Sequence, residues 1–276
     1  MKNVNYELIV SDFDETLANM QHHVPQDVVD AINEYVAAGG IFAVCTGRML
    51  RSILPRVREI GLKGIVVAYQ GTVIADIETG EMIHHGGLTC GETVYACKIL
   101  EEYGLKMNAY SGDNFYSNVA DDNPYRMYYQ QSTGVYGISI EGLMSEYVEA
   151  HDMFCEKITV MVTNADQQAV YKIMQERLGD RFDITCSAGC LVEVSPKDDH
   201  KGNALRWLAA HYGIPMEKTI ACGDQLNDLT MIEAAGLGVA VGNAVQKIKD
   251  AADIVTATND EGGVGKIIRE YGLRKD

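Results

Sequence analysis

Residues 7–16 read Glu7-Leu8-Ile9-Val10-Ser11-Asp12-Phe13-Asp14-Glu15-Thr16, an apolar run that halts at two aspartates two positions apart. Glu7 to Val10 reads as a buried strand, and the residues after it carry an alternation outward. Between Asp27 and Ala38, the side chains of Val28, Val29, Ile32, Tyr35 and Val36 fall on one helical face, and Gly39-Gly40 closes that helix. Ile41 to Cys45 is the next strand, Ser52 to Ile60 a helix, and Ile65 to Tyr69 a third strand. A β-α-β-α-β opening with near-continuous apolar strands predicts a doubly wound, mostly parallel α/β sheet covered on both faces.

Beyond Tyr69 the pattern changes. Thr72 to Ile83 reads as two strands joined by the turn Ile77-Glu78-Thr79-Gly80. A helix (Glu92 to Tyr103), two short strands (Lys106 to Tyr110, Phe115 to Ser117), an irregular Tyr-rich stretch, then strand, helix and strand pair up to Val194 follow. From Lys201 the α/β alternation returns: helix to Tyr212, strand Thr219 to Cys222, helix Leu226 to Ala235, strand Leu237 to Val241, and a closing helix near Gly265 to Tyr271. One unit thus interrupts another. Residues 1–85 and 190–276 are expected to form the α/β core and residues 86–189 an inserted α+β unit, hinged near Gly86-Gly87 and Ala188-Gly189.

The 276 residues carry 23 Lys and Arg against 39 Asp and Glu, a net charge of −16. A surface this acidic repels a phosphate backbone, no basic patch offsets it, and no nucleic-acid partner is expected. No apolar run is long enough to span a membrane, and Met1 to Tyr6 lacks the hydrophobic stretch of a secretory signal, so a cytoplasmic protein without membrane partners is expected. The seven cysteines are odd in number, and Cys45, Cys97 and Cys222 lie in apolar runs as core residues would. Cys186 and Cys190 lack a companion pair at zinc-site spacing.

In an open α/β sheet the ligand crevice lies beyond the carboxyl ends of the strands. Every polar cluster of interest falls there: Asp12 and Asp14 after the first strand, Thr46-Gly47-Arg48 after the second, and Gly223-Asp224-Gln225-Leu226-Asn227-Asp228 after the strand at 219. Lys201 opens a helix behind Lys197-Asp198-Asp199-His200. Singly, each has an ordinary reading as a turn former, a first-turn helix charge or a solvated cation. Together, the carboxylates would repel one another unless Lys201 and a divalent cation neutralised them. Hard oxygen ligands beside a substrate phosphate are the usual setting for Mg²⁺.

The sequence Asp12-Phe13-Asp14-Glu15-Thr16-Leu17, taken with Thr46-Gly47-Arg48, Lys201-Gly202-Asn203-Ala204-Leu205 and the 223–228 loop, resembles the haloacid dehalogenase superfamily of phosphatases. Gly238-Val239-Ala240-Val241-Gly242-Asn243-Ala244 and Asn259-Asp260-Glu261-Gly262-Gly263-Val264 are similar to the Cof-like subfamily, whose members carry a type IIB cap between the second and third motifs. The resemblance implies that Asp12 is the nucleophile, forming an aspartyl phosphate, and that Asp14 is the general acid and base. It implies Mg²⁺ held by Asp12, the main-chain carbonyl of Asp14 and Asp224, with Asp228 supporting. It further implies that Thr46, the Gly47 amide, Lys201 and Asn227 hold the phosphoryl oxygens. Thr16 is expected to fix the turn carrying Asp14, and Asn243 to brace the metal loop or form a turn. Haloalkanoic dehalogenases of the superfamily lack the second aspartate, so Asp14 favours phosphoryl transfer. One departure is Gln70-Gly71-Thr72 where the family commonly has Asn-Gly-Ala. Gln is one methylene longer, which makes Gln70 a candidate for specificity and not for catalysis.

Nine of the 15 tyrosines fall between residues 91 and 150, either as packing or as a pocket wall. His22-His23 and His84-His85 read as exposed loop histidines, and His200 as a neighbour of the site. No P-loop motif occurs. The expected function is a Mg²⁺-dependent phosphatase of small phosphorylated metabolites, as a monomer or small homo-oligomer. The alternatives are a phosphomutase of the same superfamily and a non-catalytic phospho-acceptor module.

Overall fold

A computed structural model describes residues 3–19, 21–112, 114–187 and 190–274. The opening segment supplies Leu8–Ser11 (β1), Gln26–Ala37 (α1), Ile41–Cys45 (β2), Leu50–Glu59 (α2), Ile65–Ala68 (β3), Val73–Asp76 (β4) and Met82–His85 (β5). Leu8, Ile9 and Val10 are fully buried, and each contributes about 1.5–3 kcal/mol by leaving water. α1 turns Val28, Ala31, Ile32 and Tyr35 inward, while Val36, which the apolar spacing puts on the same face, is exposed.

The inserted segment runs through Cys90–Glu102 (α3), Met107–Ser111 (β6), Asn114–Ser117 (β7), Pro124–Thr133 (α4), Ile138–Ser139 (β8), Met144–Ala150 (α5), Lys157–Met161 (β9), Gln167–Leu178 (α6), Phe182–Ser187 (β10) and Leu191–Pro196 (β11). The Tyr-rich stretch expected to be irregular contains α4 and α5. Asn123 caps α4, its Oδ1 accepting from the amides of Tyr125 and Arg126, Pro124 fills the first turn, and Gly134 ends it at φ 72°. These are ordinary start and stop signals on a helix too short to show a clear apolar period. Arg126, 1% exposed, anchors it from inside, donating to the carbonyls of Val119 and Gly137 and to Ser139 Oγ.

The chain then returns through Lys201–His211 (α7), Thr219–Gly223 (β12), Leu229–Ala234 (α8), Leu237–Ala240 (β13), Gln246–Ala251 (α9), Ile254–Val255 (β14) and Gly263–Ile267 (α10). The sequence reading did not foresee α9 and β14. The helix expected over 226–235 is split into a 3-10 turn at Leu226–Asp228 and the shorter α8.

Eight strands make one sheet in the order β14-β13-β12-β1-β2-β3-β4-β5. Every pairing from β14 to β3 is parallel, and only β4 and β5 add antiparallel edges. β1 therefore lies between β12 and β2, bringing the ends of three strands side by side. The other six strands form a second sheet, β10-β11-β9-β6-β7-β8, antiparallel except between β7 and β8. β11, which the sequence reading put in the core segment beginning at 190, pairs with β10 and β9 and so belongs to the second sheet. The hinge expected at Ala188-Gly189 lies outside the described residues. Among the described residues, no helix is long and apolar enough to cross a membrane.

Candidate active site

The loop after β1 turns sharply, with Glu15 at φ 58° and the amides of Leu17 and Ala18 both donating to the Phe13 carbonyl. Two distant asparagines hold it: Asn243 Nδ2 donates to the Glu15 carbonyl at 2.7 Å, and Asn259 Nδ2 to that of Ala18 at 3.1 Å. Asn243 thus braces this loop. Thr16 ties the turn to the end of β12, its hydroxyl donating to Asp224 Oδ1 at 2.6 Å.

Asp12, Asp224 and Asp228 converge, with carboxylate oxygens within 4.8 Å of one another, all buried. Lys201, fully buried at the start of α7, donates to Asp12 Oδ1 and Asp228 Oδ1, each at 2.6 Å. The second oxygen of Asp228 accepts from the amides of Asp224 and Gln225, so both its oxygens are committed. Asp224 Oδ2, by contrast, is buried with no hydrogen-bond partner. Burial pushes the Asp12 carboxyl up to about 7 against the pull of Lys201, and burial with Asp228 and Asp12 nearby pushes Asp224 up to about 8. Burial alone would lower the Lys201 ammonium, but Asp12 and Asp228 outweigh it and raise the group above its ordinary value. Clustered carboxylates with one oxygen unpartnered and one lysine as counter-charge fit a hard divalent cation.

Asp14 faces elsewhere. Arg48 grips its carboxylate with both arms of the guanidinium, Nε to Oδ2 at 2.6 Å and Nη2 to Oδ1 at 2.7 Å, and His22 Nδ1 lies 3.1 Å from Oδ1. Burial favours the neutral acid, but the His22 and Arg48 hydrogen bonds overcome it and hold the carboxyl well below the usual range. Sequence reasoning gave Arg48 no role and read His22 as an exposed loop residue. The bidentate contact shows what the first missed, and the turn at His22, φ 59°, aims the second inward.

Thr46 is buried at the end of β2, its Oγ1 accepting from the Arg48 amide at 3.2 Å. Gly47 follows, and its carbonyl accepts from Lys157 Nζ at 2.9 Å. Asn227 spends its amide donor on Gln70 Oε1 at 3.1 Å. His200 caps α7 through its ring and takes no place in the cavity wall.

A cavity of about 170 Å³ opens over these groups. Asp12, Asp14 and Gly47 line its floor, and Tyr128, Lys157 and Glu193 come from the inserted segment above. Lys157 Nζ donates to Glu193 Oε2 at 2.9 Å and stands 5.1 Å from the centre of the Tyr110 ring. Both charges interrupt apolar strands, Lys157-Ile158-Thr159-Val160-Met161 and Leu191-Val192-Glu193-Val194, which was the available signal for a buried pair. Of the clustered tyrosines, Tyr128 and Tyr129 line the cavity, while Tyr110 packs between Phe115 and Tyr69.

The profile of the haloacid dehalogenase-like hydrolases matches residues 9–268. The chain belongs to that family. The phosphatase YwpJ of Bacillus subtilis is 28% identical over 95% of this chain and 99% of its own length. A solved haloacid dehalogenase-like hydrolase of B. subtilis superposes with a TM-score of 0.84 at 29% identity, covering 96% of this chain and 99% of that one. A subclass IIB sugar phosphatase shares the fold, with a TM-score of 0.81 at 22% identity over 96% and 98% of the two chains. This hydrolase is therefore a Cof-like member with an α/β core and an inserted α+β cap, and its enzyme class is that of the phosphoric monoester hydrolases.

Proposed function

We propose that this hydrolase cleaves small phosphate monoesters through a phosphoryl group carried on Asp12. The observation that carries the reading is the separation of two carboxylates two residues apart. Asp12 sits in the carboxylate and lysine cluster, and Asp14 is held outside it by Arg48 and His22. One is placed to attack and the other to move a proton.

In the first half, an Asp12 carboxylate oxygen attacks phosphorus as the ester P–O bond breaks, and the departing alkoxide takes a proton from Asp14, which carries one only once substrate draws its carboxyl away from Arg48 and His22. In the second half, water gives a proton to Asp14 and its oxygen bonds to phosphorus while the bond to Asp12 breaks. Inorganic phosphate leaves and Asp12 is regenerated. Thr46, the Gly47 amide, Lys201 and Asn227 would hold the phosphoryl oxygens. Asp12, Asp224 and the main-chain carbonyl of Asp14 would hold Mg²⁺, with Asp228 fixing Lys201 and the turn behind them. When bound, the cation neutralises these carboxylates and the phosphoryl charge. The cap, which we take to run from about residue 86 through β11, roofs the site and limits it to small substrates.

Phosphate release from sugar phosphates, nucleotides and cofactor phosphates, with and without Mg²⁺ and for Asp12→Asn, tests the reading. Release that needs both metal and Asp12 supports it. A phosphoryl group recovered on a second substrate hydroxyl would instead mark a mutase, and no turnover with stable phosphorylation of Asp12 would mark an acceptor module.

A further inference from the structure

The residue where this chain departs from its family's common pattern, Gln70, sits in the cavity floor in an unusual state. It is 2% exposed, its backbone is left-handed at φ 64° and ψ 8°, and its side-chain Nε2 is buried with no hydrogen-bond partner. The strained backbone is held by two bonds to the β2 loop, from the Gln70 amide to the Thr46 carbonyl at 3.0 Å and from the Tyr69 amide to that of Arg48 at 2.9 Å. A left-handed non-glycine residue survives only where its surroundings enforce it.

The side chain is equally constrained. Its Oε1 accepts from Asn227 Nδ2, which directs Nε2 to the Gly47 side. A Cβ on Gly47 would lie 2.4 Å from Nε2, so the amide packs directly against this glycine. Thr46, Gly47, Gln70 and Asn227 all line the same cavity as Asp12. A buried N–H donor without an acceptor is costly to keep unless a ligand supplies the acceptor.

We propose that Gln70 Nε2 is a donor to a phosphoryl oxygen of the substrate, with Asn227 acting through it as a positioning residue. The inference rests on the phosphatase reading above. It reassigns the two amides: Asn227 Nδ2 orients the Gln70 carboxamide, and Gln70 presents the free proton to the anion. The methylene by which Gln exceeds Asn carries the amide from the β3 end to the Gly47 loop. A neutral donor fixed before substrate arrives stabilises charge without adding a counter-ion to the site.

The test uses the full chain with Mg²⁺ and inorganic phosphate as the probe, in wild type, Gln70→Leu, Gln70→Asn and Gln70→Glu. Calorimetric titration reads phosphate affinity, steady-state assays read kcat and KM on esters with different alcohols, and an unfolding curve verifies each fold. Gln70→Leu is expected to weaken phosphate binding about tenfold and to lower kcat/KM about a hundredfold for every ester. Gln70→Glu should lose more, because a carboxylate faces the anion, and Gln70→Asn should fall between wild type and Leu. Should Gln70→Leu fail to fold, the Glu and Asn variants carry the comparison.

Phosphate affinity unchanged in all three variants, while wild type hydrolyses esters, overturns this assignment and leaves the phosphatase reading intact. A loss that varies with the alcohol and spares phosphate affinity also overturns it, placing Gln70 against the leaving group. Wild type that neither binds phosphate nor releases it from any ester overturns both.

Discussion

Asp12 and Asp14 share a loop of a few residues, yet their partners differ, Lys201 for the first and Arg48 with His22 for the second. Asp14→Asn should lower kcat on alkyl phosphates by about 10²–10⁴. On p-nitrophenyl phosphate, whose leaving group needs little protonation, the drop should be smaller; equal losses on both esters would refute Asp14 as the acid. Asp224 offers a second residue-scale test, since its unpartnered Oδ2 lies among like charges. Mg²⁺ should raise the thermal midpoint of the wild type, by about 2.7 kcal/mol of stability at a hundredfold excess over Kd. Asp224→Asn should raise the midpoint without Mg²⁺ and abolish the response, and a preserved response would remove Asp224 from the metal site. The aspartates were legible because a short local motif carries them. Arg48 has no role legible in the sequence, because its partner Asp14 is 34 positions away and only the fold joins them.

Elements set how well those residues are aimed. α7 lies so close to α8 that a Cβ on Gly202 would come within 2.5 Å of the Thr230 carbonyl. Gly202→Ala should push the start of α7 away and carry Lys201 with it, so activity should fall by more than the unfolding midpoint suggests. Full activity would show that the helix yields without moving Lys201. At α4, Asn123→Ala removes a cap and should cost about 1 kcal/mol in urea unfolding. The strand Ile41–Cys45 was readable to the residue because its composition leaves one answer. α4 was not, because residues such as Tyr128 and Arg126 obscure the apolar period. What stabilises α4 is Arg126 reaching carbonyls on either side of it in sequence.

At the scale of the molecule, the cap meets the core through apolar packing of Tyr110, Phe115 and Val135 and through charged and polar contacts at the cavity rim. Arg48 and Arg56 both donate to the Ser132 carbonyl, at 3.1 and 2.8 Å, and Ser52 Oγ donates to that of Thr133 at 2.7 Å. The last turn of α4 thus presents the Ser132 carbonyl to two cations, the favourable orientation for a helix C-terminus. Lys157 completes the join from β9. Lys157→Met should destabilise by about 3–5 kcal/mol, since it leaves Glu193 buried without its ammonium. Lys157→Met with Glu193→Leu should recover most of that loss in denaturant unfolding, and no recovery would mean that the pair does more than neutralise itself. A cross-link fixing cap to core should impair turnover; unchanged turnover on a small ester would show that the cap need not move about Gly86-Gly87.

By itself, the sequence determined the parallel core, the interruption by a second α+β unit and the strand ends bearing Asp12, Thr46 and Asp224. Each of those is written in local patterns of apolar residues and short motifs, whose physics needs no distant partner. Only the tertiary structure decided that β11 joins the cap sheet, that Arg48 and His22 hold Asp14, and that Lys157 and Glu193 roof the cavity. Those outcomes depend on burial and on pairings between residues far apart in the chain, where a charge's meaning comes from what folding sets beside it.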